Sequence, residues 1–236
     1  MKNNRVILTG THGMVAKPII KLLEEKGYEC IRWNRDEVSP EDSNAIISFI
    51  KKVNPIIIIH LAYGPISWST TMAKYSEKHK IKFAYISTVN VYGDAIGPYT
   101  VDTKPIPNDD YSRYKFESEE AIRGVTSNAY IIRIGWQIGP LEETHPNNML
   151  QYLIRTQKEF GEVKANKNHY LSTSLVGDCA FAIVDIVLKH KPNLYLYNTN
   201  SDLSFFDVAS GLVLQYPKLG IKIIRENGMQ RNEIMV

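Results

Sequence analysis

Apolar residues along this chain alternate between two patterns. Short, nearly unbroken apolar runs span Arg5 to Thr9, Glu29 to Trp33, Ile56 to Leu61, Phe83 to Ser87 and Ala129 to Ile134. Runs of this length and continuity predict strands buried on both faces. The segments between them have helical spacing. Val15 to Lys26 places Val15, Ile19, Leu22 and Leu23 on one face and is closed by Gly27, with Pro18 in the first turn, where its missing N–H costs little. Glu41 to Val53, Trp68 to Lys80 and Tyr111 to Arg123 read as further helices, the first of these stopped by Asn54-Pro55. Regular strand–helix alternation with fully apolar strands predicts an α/β fold, a Rossmann-like doubly wound parallel sheet.

The alternation loosens after about residue 138. Pro140, Pro146 and the polar run KANKNHYLSTS interrupt it. A helix over Val176 to Lys189, a strand over Leu194 to Tyr197 and a helix over Phe205 to Leu214 follow, and from Lys218 a short strand, IKII, precedes a frayed polar end. The expected organisation is a nucleotide-binding core over residues 1–138. Residues 139–236 form a mixed segment that returns to the core and builds a small C-terminal substrate lobe.

Composition narrows the function classes. A chain of 236 residues, 44% of them hydrophobic, is long enough for one sizeable core. The net charge of +3 carries no basic cluster and gives no reason to expect a nucleic-acid polymer as partner. Cys30 and Cys179 lie far apart, and no His, Cys, Asp or Glu set has metal-ligand spacing, so buried thiols and no metal are expected. The N-terminus lacks a signal-peptide apolar region, and the longest apolar run is too short to cross a membrane. A cytoplasmic protein with no membrane partner is the expectation.

Two local motifs carry chemistry. Gly10-Thr11-His12-Gly13-Met14-Val15-Ala16 follows the first strand and opens the first helix. Glycines there let the backbone turn toward a pyrophosphate, and the helix N-terminus offers N–H groups to the anion. Gly10, His12, Gly13, Met14 and Val15 are therefore candidate cofactor contacts, although His12 is expected to face solvent. At the end of the second strand, Asn34 and Arg35 favour the 2′-phosphate of NADPH, while Asp36 and Glu37 leave NADH open. The second motif is Tyr111-x-x-x-Lys115. On a helix these residues share a face, which would bring the ammonium near the phenol and lower its pKa from about 10. The pair reads as a general acid/base beside a redox cofactor.

With the glycine turn, Ser87-Thr88 ending a strand, and Tyr111-x-x-x-Lys115, the chain resembles the extended short-chain dehydrogenase/reductases. His60-Leu61-Ala62-Tyr63 is similar to the family strand end that lines the cofactor, adding Leu61, Ala62 and Tyr63 to the cofactor set along with Lys115. Ser87 to Gly93 is similar to the segment that supplies the catalytic Ser/Thr, and Val176-Gly177-Asp178 to the segment after the substrate loop. Arg133-Ile134-Gly135-Trp136, followed by Asn147-Asn148-Met149, is most like the dTDP-4-dehydrorhamnose reductases.

That resemblance implies a catalytic set of Thr88, Tyr111 and Lys115: Thr88 binding the substrate carbonyl, Tyr111 donating the proton, and Lys115 holding the nicotinamide ribose. Thr88, Val89, Asn90, Tyr111 and Trp136 would face the substrate. Trp136 reads equally as a stacking surface and as an apolar plug. His145 and His169 read as lobe surface or substrate contacts, Tyr114 as a packing residue and Tyr92 as a pocket wall. Val89 and Asn90 stand where related dehydratases carry an Asp-Glu pair, so water elimination is not expected. The implied activity is NADPH- or NADH-dependent reduction of a keto group on a nucleotide-activated deoxysugar. An NAD-dependent nucleotide-sugar epimerase and a cofactor-binding regulatory subunit are the alternatives. A homodimer is implied by resemblance alone.

Overall fold

The computed structural model describes residues 3–236. Its first part is β1 (Arg5–Thr9), α1 (Ala16–Glu25), β2 (Glu29–Arg32), α2 (Ser43–Val53), β3 (Ile57–His60), α3 (Ile66–His79), β4 (Lys82–Thr88), α4 (Asp110–Arg123) and β5 (Ala129–Ile134). The remainder is β6 (Trp136–Ile138), α5 (Met149–Phe160), β7 (Val163–Asn166), β8 (His169–Tyr170), β9 (Thr173–Leu175), α6 (Val176–Lys189), β10 (Leu194–Tyr197), α7 (Phe205–Gln215), β11 (Ile223–Glu226) and β12 (Arg231–Asn232). Six strands form one parallel sheet in the order β10-β5-β4-β3-β1-β2. This is the Rossmann-like, doubly wound fold.

The unbroken apolar strands are explained by two cores. Side chains alternate across a strand, so neighbouring residues serve opposite faces. Val6, Leu8, Ile57, Ile59, Ala84 and Ile86 pack with Ile19 and Leu23 of α1 and with Cys179, Ile183 and Val187 of α6. Ile7, Ile58, Phe83 and Tyr85 pack on the other face with Ile46 and Ile50 of α2 and with Trp68 and Met72 of α3. Each buried side chain of this size contributes about 1.5–3 kcal/mol, which the exposed alternatives would forfeit.

Helix starts follow local chemistry. Asp42 caps α2 through Asn44 and Ala45 N–H groups. Asp109 and Ser112 make a reciprocal capping box at α4, worth about 1 kcal/mol, and so fix where the helix carrying Tyr111 begins. α1 follows a glycine turn and has no side-chain cap and no acidic residue in its first turn.

The lobe is built differently. Three short parallel pairs, β6–β9, β7–β11 and β8–β12, join distant segments around α5 and α7. Their core is Met149, Leu153, Val163, Leu171, Phe205, Val208 and Ile221. Meanwhile α6 and β10 return to the main sheet.

Two sequence expectations need correcting. The loose stretch after residue 138 contains a full helix, α5, capped by the Asn148 side chain. The end of the chain is not frayed. β12 pairs with β8, the Tyr99 and Val236 N–H groups bond to Ile234 and Tyr99 carbonyls at 2.7 and 2.8 Å, and Met235 is buried beside Val91, Tyr92 and Tyr99. Apolar residues of the tail are too few and irregular to show periodicity, yet two of them, Ile234 and Met235, are buried. No helix among the described residues is long and apolar enough to cross a membrane.

Candidate active site

The chain reverses its direction of sheet building between β1 and β3, and ligands of such sheets bind beyond the strand ends at that point. Gly10 leaves β1 with φ +67°. A Cβ there would lie 2.8 Å from the Ala62 nitrogen, so glycine is required both by backbone conformation and by the close approach of the chain after β3. The Thr9 hydroxyl ties the two strand ends, accepting from Leu61 N–H at 3.1 Å and Ala62 N–H at 3.2 Å. Gly13 N–H bonds back to Gly10 O at 3.0 Å, closing the turn below the uncapped N-terminus of α1. Free N–H groups and the helix dipole make this turn suited to an anion.

A cleft of about 640 Å³ opens here. Gly10, Gly13, Met14, Val15, Leu61 and Tyr63 line its β1–β3 side. Thr88, Val89, Asn90, Tyr111 and Lys115 line it beyond β4, and Trp136 faces it from the lobe. The structure therefore brings together all three candidate catalytic residues and all five candidate substrate residues. It leaves out some of the candidate cofactor set. His12, read from the sequence as a candidate cofactor contact, is exposed and outside the lining. Ala62 is buried beneath Gly10 and supports the turn without lining the cleft. Asn34 bonds to Glu37 at 2.9 Å on the surface. Arg35 donates to the Tyr63 carbonyl and lies 5.1 Å from the Trp68 ring centre.

The electrostatics of the central set differ from the sequence expectation. Tyr111 and Lys115 do sit one turn apart on α4. The Lys115 ammonium, however, donates to the Ile86 carbonyl at 2.9 Å and lies 4.7 Å from the Tyr85 ring centre. Burial lowers its pKa to about 8, with the Glu119 carboxylate pulling upward. Desolvation around the phenol end raises the Tyr111 pKa above its ordinary value, although the residue as a whole is 43% exposed. A hydrogen bond with Thr88 opposes that shift, and Tyr114 and Asp109 add to it. Lys115 is thus turned toward the β4 backbone, and the expected depression of the Tyr111 pKa is replaced by a rise. Desolvation of the phenolate outweighs the help it receives.

Behind this set lies an ion pair that sequence reading missed. Glu119 and Arg133 meet through two contacts of 3.0 and 2.6 Å, both residues almost completely buried. Arg133 also lies 4.8 Å from the Tyr92 ring centre. Tyr92 is fully buried, stacked on Tyr99 and bonded to Thr100 O, so it is part of this packing and not a wall of the cleft. Tyr114 is a packing residue that also works: its hydroxyl accepts from Gly64 N–H, and its ring lies 4.1 Å from that of Tyr63.

The lobe supplies the far side. Trp136 is both things the sequence left open. One edge packs near Tyr152 and Phe205, its indole N–H bonds to Asn147 O at 2.9 Å, and the remainder lines the cleft. Gln137, His145, Asn147, Ser172 and Glu233 also line it. Of these, only His145 carried a sequence signal as a substrate contact. Gln137 and Asn147 are chain neighbours of Trp136 and His145, whereas Ser172 and Glu233 arrive through pairings of segments far apart in the chain.

Residues 66–222 match the family model described as the RmlD substrate binding domain. The chain is 21% identical to the spore coat polysaccharide biosynthesis protein SpsK of Bacillus subtilis, over 89% of this chain and 78% of that protein. It is 23% identical to the methionine adenosyltransferase 2 subunit beta of Bos taurus, over 71% of this chain but only 57% of that subunit's length. Its fold is similar to a dTDP-4-dehydrorhamnose reductase from Bacillus anthracis solved in complex with NADP, with a TM-score of 0.82 and 21% identity, covering 100% of this chain and 90% of the other. With the glycine turn, the Thr88–Tyr111–Lys115 cleft and a family match over most of its length, the chain belongs to the RmlD substrate binding domain family, among the extended short-chain dehydrogenase/reductases.

Proposed function

We propose that this protein reduces a keto group on a nucleotide-activated deoxysugar, using NADPH in preference to NADH. The observation that carries the reading is one cleft lined by an anion-suited glycine turn at one end and by Thr88, Tyr111 and Lys115 at its centre. The site fits a dinucleotide: Gly10 leaves the backbone bare where a Cβ would collide, and the α1 N-terminus has no side chain satisfying its N–H groups. Gly10, Gly13, Met14, Val15, Leu61, Tyr63 and Lys115 would hold it. When bound, such a cofactor supplies the hydride.

The remaining chemistry belongs to the chain. Thr88 orients the substrate carbonyl oxygen, and Tyr111 gives its phenolic proton to the oxygen as charge develops there. A raised Tyr111 pKa keeps that proton in place at neutral pH, which suits a donor. The epimerase alternative uses Tyr111 first as proton acceptor and then as donor, and cofactor consumption separates it from the reductase. Lys115, buried and cationic below about pH 8, holds the geometry between α4 and β4 and offers its free donor positions to a ribose. The 2′-phosphate preference rests on Arg35, whose guanidinium is anchored beside the cleft residue Tyr63.

A second reading, a cofactor-binding regulatory subunit, has one observation behind it: Lys115 is directed at Ile86 O and does not activate Tyr111. Loss of reduced-nicotinamide absorbance separates the readings. NADPH and NADH are each mixed with the protein and a dTDP-4-keto-6-deoxysugar. Stoichiometric oxidation, faster with NADPH, is expected. Cofactor binding without oxidation or change in sugar stereochemistry would favour the regulatory reading.

A further inference from the structure

Among the described residues lining the cleft, Glu233 is the single carboxylate. It comes from the segment just after β12, far in sequence from every other lining residue. Its backbone N–H bonds to Tyr170 O at 2.8 Å, which fixes the residue to the lobe. Two cationic or potentially cationic groups approach its carboxylate: Arg231 Nε at 2.6 Å and His169 Nε2 at 3.2 Å. Both close on the same oxygen, Oε1. Oε2 accepts no hydrogen bond from the described residues, on a side chain that faces the cleft and is only 16% exposed. A carboxylate steered from one side and left open on the other is an oriented acceptor.

Its neighbours define what it accepts from. Trp136 offers an aromatic surface on the same lobe, and the Ser172 hydroxyl, buried and lining the cleft, has no partner among the described residues. An anionic diphosphate would be repelled by Glu233 and has the α1 N-terminus at the other end. A neutral, hydroxyl-rich ring suits the lobe end: its hydroxyls donate to the carboxylate, and its C–H face lies on the indole.

We propose that Glu233 is a substrate-recognition residue whose Oε2 binds hydroxyls of the sugar ring. This deepens the nucleotide-sugar reading above and rests on it. The test titrates the NADPH-loaded protein with dTDP and with a stable dTDP-hexose by calorimetry, for wild type, Glu233→Gln and Glu233→Ala. The affinity ratio between the two ligands isolates the sugar's contribution. Wild type is expected to prefer dTDP-hexose. That preference should fall about tenfold in Glu233→Ala, as for loss of a hydrogen bond to a charged group, and less in Glu233→Gln, while dTDP and NADPH affinities hold. A wild-type preference that survives unchanged in both variants overturns the role of Glu233 alone. No preference in the wild type overturns the nucleotide-sugar reading together with it. Thermal melting confirms folding, and the isosteric Glu233→Gln decides the case if the alanine variant is unfolded.

Discussion

The β1–β5 sheet and the lobe solve the same problem by opposite means. In the sheet, the inner strands β1, β3 and β4 pack apolar side chains into both cores, and their partners lie on regular strand–helix units. In the lobe, strands of two to four residues pair with segments up to about sixty residues away, and each pairing buries only a few side chains. The sheet holds the groups that any such reduction needs: the glycine turn, Thr88, Tyr111 and Lys115. The lobe holds Trp136, His145, Ser172 and Glu233, which line the far side of the cleft. On the proposed function, reaction chemistry falls to the regular half and recognition to the half assembled from long-range contacts.

The contrast can be broken at several points. The largest effect is expected from Tyr111→Phe, which should cut turnover by about 10²–10⁴ while leaving NADPH affinity nearly intact. Full activity in that variant would remove Tyr111 as the proton donor. Next, Arg133→Met should lower stability by about 3–5 kcal/mol in chemical denaturation, because it strands the buried Glu119 carboxylate behind α4. A loss under 1 kcal/mol would show that the pair is not what fixes this helix to β5.

Lys115 gives a pH-dependent effect of about 3 kcal/mol. Its folded pKa is lowered from 10.5 to about 8. Between those values the unfolded chain holds a proton that the folded chain has released, so stability rises with pH across the window. Denaturation of wild type against Lys115→Met from pH 7 to 10 should show wild type gaining on the variant. A constant difference would contradict the burial of the ammonium. The smallest effect sharpens the cofactor end: Arg35→Ala should weaken NADPH about tenfold more than NADH in fluorescence titrations. Equal losses would place Arg35 in a packing role against Trp68.

How much the sequence revealed follows the same division. Continuous apolar runs and helical spacing located every strand and helix of β1 to β5 within two residues, since period and burial are local properties. The glycine turn and Tyr111-x-x-x-Lys115 were legible because their spacing is fixed by one turn and one helix. The direction of the Lys115 ammonium was not legible, because the Ile86 carbonyl that takes it comes from another strand. The rise of the Tyr111 pKa was hidden for the same reason, being set by the packing around α4. α5 was masked by the prolines and polar residues before it, although Asn148 stands where a cap belongs. Glu233 had no local signal at all: only the pairing of β12 with β8 carries it to the cleft.

The proposed function stands on Tyr111 being a protonated donor poised for reduction beside a bound nicotinamide cofactor. The most direct test is a single-turnover reaction of NADPH-loaded protein with a dTDP-4-keto-6-deoxysugar, followed by absorbance from pH 6 to 10. The expected rate is flat at neutral pH, falls as alkaline conditions remove the Lys115 proton while Tyr111 stays protonated, and collapses in Tyr111→Phe with NADPH still bound. A rate that rises through that alkaline range, or that is unchanged in Tyr111→Phe, would contradict it.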